Sequence, residues 1–253
     1  MVQNKWQKLH ILNDRNLGLS ALLCEVCSRV VVVCHGFTGS KEGGGRALDM
    51  GEQLSNLEFS TLLFDFSGCG ESEGCFEDIS LSGQVGDLGC VVSWCQNNGF
   101  NEIILTGRSF GGSTALAYAS NDRNIKALCT WAAVARPAKL FKSFINNHSE
   151  PPSGNLVAIE GEGEILYLKK DFFSDLENHD LLKYASRIAP RHYLIIHGSK
   201  DQSVPVEDAH LLYDSAKHPK KLAIIEGADH RFTGKIEEVW TVFFDWLEGL
   251  SKC

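Results

Sequence analysis

No basic run longer than the pairs Lys169-Lys170 and Lys220-Lys221 occurs in this chain of 253 residues, and acids outnumber bases. Lys plus Arg number 24 against 32 Asp plus Glu, giving a net charge of −8. Nucleic acid and anionic membrane both attract a basic surface, so neither is an expected partner. Long hydrophobic runs are also missing, and a stretch such as Val30–Cys34 is far short of the ~20 residues that cross a bilayer. Met1 to Lys8 carries charge where a secretion signal has its apolar stretch, so the expected location is cytoplasmic. Internal repeats and low-complexity linkers are absent as well.

Cysteine is plentiful but unpatterned. The nine residues form an odd set, and Cys24-x-x-Cys27 lies in an apolar, strand-like stretch with no second pair and no His-x-x-His nearby. Packing explains them better than metal or redox chemistry. No metal and no organic cofactor is expected.

What is present is 43% hydrophobic and 22% charged sequence, ordinary for a soluble globular protein, at a length that suits one large domain or two small ones. Apolar strand-like runs alternate with helical patterns, which predicts an α/β fold: a mostly parallel central sheet covered by helices on both faces. An opening hairpin is expected over residues 6–26, turning at Asn13-Asp14-Arg15-Asn16. Strands follow at 29–35, 60–66, 102–107, 125–134, 191–197 and 222–226. Helices are expected at 45–58, 79–97 and 110–120, from about 206, and at 235–250. The fourth of these has Glu207 and Asp208 in its first turn, Lys217 and His218 in its last, and Pro219 as its stop. From Arg136 to Pro190 the alternation breaks. That stretch holds Pro151-Pro152, a turn at 161–164 and the aromatics Phe141, Phe144, Tyr167, Phe172 and Phe173, and it is expected to form a small inserted cap with its own hairpin and helices. One domain spanning 1–253, with residues 136–190 as the cap, is the expected organisation.

The chemistry centres on Gly107-Arg108-Ser109-Phe110-Gly111. An apolar strand precedes this Gly-x-Ser-x-Gly and a helix of small residues follows, the context in which the serine sits on a sharp turn with its hydroxyl above the sheet. A serine hydroxyl needs a base and an acid to orient that base, expected in the chain order Ser, acid, His. Of the later histidines, His230 alone lies in a glycine-containing turn after a late strand, in Glu226-Gly227-Ala228-Asp229-His230. The acid is assigned to Asp201, just past the strand that ends at His197. Its rivals are Glu207 and Asp208, which suit a helix start, and Asp229, awkwardly adjacent to His230. Acyl transfer also needs two donors for the oxyanion, each worth about 3 kcal/mol of barrier. The N–H of Phe110 is one. The other is expected from the loop His35-Gly36-Phe37-Thr38-Gly39, where Gly36 lets the backbone turn the Phe37 N–H inward.

Together with Asp65-Phe66-Ser67-Gly68-Cys69-Gly70-Glu71-Ser72 and His197-Gly198-x-x-Asp201, these motifs resemble the α/β-hydrolase superfamily. Within it they are most similar to small bacterial feruloyl (cinnamoyl) esterases and serine-aminopeptidase-type hydrolases. The resemblance covers nearly the whole chain outside the cap. It implies Ser109, Asp201 and His230 as a catalytic triad, Phe37 and Phe110 as oxyanion donors, and the 65–72 loop as structural. The expected activity is hydrolysis of carboxylic esters of small acyl or aryl acids through an acyl-enzyme, with a small-molecule ester as partner and the cap aromatics forming its apolar pocket. A homodimer stays open. An aminopeptidase or amidase would use the same triad and would need cap carboxylates such as Glu160, Glu162 and Glu164 for a substrate ammonium, although a solvated hairpin tip explains those three as well. A thioesterase shares the machinery too, and a non-catalytic ligand receptor is the reading from another class.

Overall fold

The computed structural model describes residues 6–146, 151, 153–161 and 164–250. The valine strand sets its layout. Side chains alternate across a strand, and in β3 (Arg29–Cys34) Val30, Val32 and Cys34 enter one hydrophobic core while Val31 enters a second on the opposite face. The same division recurs at Ile103 and Leu105 against Ile104, and at Tyr193 and Ile195 against Leu194 and Ile196. A strand apolar on both faces must be covered on both.

Eight strands form the central sheet in the order β1-β2-β4-β3-β5-β6-β9-β10. They are β1 (Gln7–Leu12), β2 (Gly18–Cys24), β3, β4 (Ser60–Phe64), β5 (Glu102–Arg108), β6 (Ile125–Trp131), β9 (His192–Gly198) and β10 (Lys220–Ile225). The first two pair as an antiparallel hairpin, β2 also runs antiparallel to β4, and every pairing from β4 to β10 is parallel. All carboxyl ends of that parallel array therefore share one edge, where ligand crevices of such sheets form.

Helices α1 (Arg46–Asn56) and α8 (Ile236–Leu250) cover one face through Met50, Leu54, Val239, Phe243 and Leu247. On the other face lie α2 (Leu81–Asn97), α3 (Phe110–Ala119) and α7 (Val206–Ser215). Between β6 and β9 the chain forms α4 (Pro137–Ser143), the antiparallel pair β7 (Leu156–Gly161) and β8 (Glu164–Lys169), α5 (Lys170–Glu177) and α6 (Leu181–Ala185). This is the stretch expected as a cap. The middle of its 161–164 turn, with Glu162, lies outside the described residues. No helix among the described residues is long and apolar enough to cross a membrane.

Two local expectations need correction. Helix α7 stops at Ser215 and Ala216 is already extended, so Lys217 and His218 lie beyond its last turn. A residue before proline is pushed away from helical geometry, and His218 precedes Pro219. Asp208 is more than a helix-start charge. It is 3% exposed, accepts the Ala135 N–H at 2.9 Å and pairs with Arg136 at 2.9 Å, tying α7 to the chain that leaves β6.

Candidate active site

At the carboxyl edge of β5 the chain must reverse into α3 within one residue. Ser109 does so at φ 55° and ψ −125°, a strained conformation for a residue with a Cβ. Its N–H is anchored to the Trp131 carbonyl at 2.8 Å. The flanking glycines permit the close approach: a Cβ on Gly107 would stand 2.4 Å from the Gly111 carbonyl oxygen, and one on Gly111 would stand 2.1 Å from that of His35. The turn thus places Ser109, half-buried, at the amino end of α3.

Asp201 and His230 arrive at the same edge from the ends of β9 and β10. His230 Nδ1 lies 2.7 Å from Asp201 Oδ2. The other carboxylate oxygen, Oδ1, accepts the N–H groups of Ser203 and Val204 at 2.9 and 2.8 Å, and the Asp201 side chain is wholly buried. Burial alone would raise its pKa. Hydrogen bonds from His197 and His230, the positive charge on a protonated His230 and the Val204 N–H outweigh that burial and hold the carboxyl well below the usual carboxylate range. No hydrogen bond joins the Ser109 hydroxyl to His230 among the described residues. Asp229 turns away, accepting the N–H groups of Arg231 and Thr233 at 3.0 and 2.8 Å.

His197 also bears on the site. It is fully buried, and its Nε2 faces both Asp201 Oδ2 at 3.2 Å and the Val204 carbonyl at 3.0 Å. Two acceptors around one nitrogen place the proton there, so His197 donates to the carboxylate that His230 also contacts. Its sequence signal was only position, four residues before Asp201.

The loop after β3 carries Phe37. Among the described residues neither the Phe37 N–H nor the Phe110 N–H donates to another group, and the two rings pack edge to face at 5.7 Å. Gly36 is not the reason for this geometry. It has no left-handed φ, and a Cβ there would meet nothing closer than 3.5 Å. The loop is held instead by three other contacts. Gly39 N–H closes a turn onto the Gly36 carbonyl at 3.0 Å. His35 accepts the Phe66 N–H on Nε2 at 3.1 Å, so its Nδ1–H donates to the Gly36 carbonyl at 2.7 Å. Lys41 and Asp65, 5% and 0% exposed, form an ion pair at 2.8 Å. Asp65 also accepts the N–H groups of Lys41 and Glu71, and a Cβ on Gly70 would lie 2.3 Å from its carboxylate. The 65–72 loop is thus the buttress of the Phe37 loop.

Two of the aromatics of 136–190 expected to form an apolar pocket are instead committed to packing. Phe141 and Phe172, 3% and 1% exposed, close onto Phe37 and Phe110 with ring centroids 4.8 to 5.9 Å apart. Four phenylalanines from distant segments therefore clamp the two loops that bear the free N–H groups. Phe144, Tyr167 and Phe173 stay half-buried. Glu160 accepts from Asn146 Nδ2 at 3.2 Å. Cys24 and Cys27 are free thiols, Cys27 donating to the Glu58 carbonyl at 2.8 Å. Among the described residues no group of three or more His, Cys, Asp or Glu is placed to hold a metal ion.

Comparison with known proteins agrees with the architecture. The structure superposes on Est1E of Butyrivibrio proteoclasticus, solved with ferulic acid bound, at a TM-score of 0.86 with 23% identity, covering 97% of this chain and all of the other. Lysophosphatidylserine lipase ABHD12 of Danio rerio is 26% identical over 235 residues, 86% of this chain and 58% of its own length. Protein YfhR of Escherichia coli O157:H7 is 27% identical over 179 residues, 70% of this chain. The chain spans 55% of the length of YfhR, little more than half. A family model described as serine aminopeptidase, S33 (Hydrolase_4) matches residues 27–158, just over half of the sequence. The fold is that of the α/β-hydrolases, and the chain belongs to the Hydrolase_4, serine aminopeptidase S33, family.

Proposed function

We propose that this chain is a serine hydrolase that cleaves carboxylic esters of small acyl or aryl acids. The observation that carries the proposal is the 2.7 Å contact between His230 Nδ1 and a buried Asp201 carboxylate, at the sheet edge where Ser109 sits on its strained turn. With Nδ1–H held by Asp201, Nε2 is the nitrogen left to take a proton. Ser109 Oγ attacks the ester carbonyl as its proton passes to His230, and the oxyanion is received by the N–H groups of Phe37 and Phe110. Collapse breaks the bond to the alcohol, which leaves with the proton from His230 and leaves Ser109 acylated. Water then attacks the acyl carbon while His230 takes its proton. Collapse of the second intermediate releases the acid, and the proton returns to Ser109. Asp201 fixes the imidazole tautomer and supports its charge in both halves.

The cap, residues 136–190, would act on substrate through Phe144, Tyr167 and Phe173, since Phe141 and Phe172 are committed to the clamp. The ferulic acid bound to Est1E is an aryl acid of the kind this reading accommodates. A fluorophosphonate probe tests the nucleophile: wild type is labelled and Ser109→Ala is not, whereas equal labelling of the variant removes Ser109 from its role. Rates on p-nitrophenyl acyl esters against aminoacyl anilides and acyl thioesters then separate esterase from aminopeptidase and thioesterase, and ligand binding without turnover of any would mark a receptor.

A further inference from the structure

Four N–H groups surround the Asp201 carboxylate, about as many as its lone pairs accept. Oδ1 takes the backbone N–H groups of Ser203 and Val204, while Oδ2 faces two imidazoles, His230 Nδ1 at 2.7 Å and His197 Nε2 at 3.2 Å. The two rings differ in setting. His230 is 15% exposed at the sheet edge, whereas the side chains of His197 and Asp201 have no exposure at all. Among the described residues His197 Nδ1 has no hydrogen-bond partner. A proton there would be a buried donor with nothing to receive it, so the donor of this ring is Nε2. That N–H also faces the Val204 carbonyl at 3.0 Å, and the Val204 N–H is one of the two that hold Oδ1. His197 therefore grips both ends of the 201–204 turn. It does so from β9, which is paired on both sides, with β6 and β10, so the anchor itself is rigid.

We propose that His197 is a positioning residue, which holds the Asp201 carboxylate in the one orientation that presents Oδ2 to His230. This rests on the reading of Ser109, His230 and Asp201 as a triad. The Ser203 and Val204 N–H groups restrain Oδ1 alone, so Oδ2 could swing about that oxygen, and His197 is the second point of attachment that stops it. Asp229, the other carboxylate at this edge, is turned to the N–H groups of Arg231 and Thr233 and does not take over the role. Asp201 supports a charge on His230 that exists only once the serine proton has moved. Loss of its orientation is therefore felt in kcat and not in KM.

Three variants of the full chain separate position from packing. His197→Leu fills similar space without a donor, and His197→Gln sets an amide N–H close to where Nε2 stands. His197→Asn carries an amide too short to reach Oδ2, and it supplies the same comparison with Gln should the leucine variant not fold. On a p-nitrophenyl acyl ester, kcat should fall about tenfold or more in the Leu and Asn variants, the fold-change of one charge-assisted hydrogen bond, with KM within about twofold of wild type. His197→Gln should recover most of the loss. The second readout needs no turnover: in protein labelled with nitrogen-15 histidine, the His230 Nδ1–H should give a sharp downfield resonance in wild type and His197→Gln, and should broaden through exchange with water in the other two. Wild-type kcat in His197→Leu or His197→Asn, an equal loss in all three variants, or a His230 resonance indifferent to position 197 would each overturn the proposal. Failure of the triad reading shows elsewhere, as equal probe labelling of Ser109→Ala, whereas loss of that labelling alongside full activity in His197→Leu defeats this proposal alone.

Discussion

The tightest backbone approach at the Ser109 turn gives a quantitative expectation. In Gly111→Ala the new Cβ would stand 2.1 Å from the His35 carbonyl oxygen and 2.5 Å from that of Cys34, both backbone atoms that cannot rotate aside. To reach a tolerable contact, α3 must retreat from the end of β3 by about 1 Å, a displacement that costs on the order of 100-fold when it misplaces reacting groups. Ser109 and the Phe110 N–H ride on α3, whereas the Phe37 N–H stays with the loop after β3, so the retreat opens the gap between the two proposed oxyanion donors. Overpacking of this kind also destabilises by about 1–3 kcal/mol. Urea denaturation followed by tryptophan fluorescence measures the second quantity, and the rate of fluorophosphonate labelling measures the first. Gly86→Ala is the matched control: it lies in α2 with nothing within 4 Å of its would-be Cβ. Relief of glycine's backbone entropy there should stabilise by roughly 0.5–1 kcal/mol. A Gly111→Ala protein that matches wild type in both stability and labelling rate would refute the claim that this contact positions the turn.

Three further expectations follow from the same site. Asp201→Asn should lower kcat on p-nitrophenyl esters by about four orders of magnitude, because the wrong imidazole tautomer is then held; a loss below about tenfold assigns the acid elsewhere. Phe172→Ala, which empties the centre of the phenylalanine clamp, should cost about 3–5 kcal/mol of unfolding free energy in urea and slow labelling as well; slowed unfolding midpoints without any effect on labelling would separate the clamp from the oxyanion loops. The Asp201 carboxyl titrates well below its unfolded value near 3.9, so its contribution to stability is fully present above that pH and is lost as pH falls through it towards the folded pKa. Denaturation curves at pH 7, 5, 4 and 3 should therefore fall more steeply for wild type than for Asp201→Asn, and parallel curves would contradict the assignment of that shift.

The parts of the fold legible in sequence are those written in local periodicity. Alternation along Val30–Cys34 and Ile103–Leu105, a glycine-flanked serine at the junction of strand and helix, and the stripe Val239, Phe243 and Trp246 all depend on neighbours within a few residues. The 2.7 Å pairing of Asp201 with His230 was accessible because each follows a strand, and parallel strands bring their ends together. What escaped depends on distance in space. Nothing near Phe141 or Phe172 says that they close onto Phe37 and Phe110, and nothing near Asp208 names Arg136 as its partner. The assignment of Gly36 as the pivot of its loop fell for the same reason, since the actual restraints come from Phe66, Asp65 and Gly39.

The ion pair beneath the Phe37 loop has an evolutionary corollary. Lys41 and Asp65 are shut away from water together, and losing Lys41 leaves the Asp65 carboxylate as an uncompensated buried charge, typically a penalty of about 3–5 kcal/mol, whereas Lys41 without Asp65 still has Glu71 at 2.7 Å. Drift at Lys41 alone is thus disfavoured for as long as Asp65 stays, while the reverse order is cushioned by Glu71. Relatives of this chain that keep the aspartate should therefore keep the lysine as well.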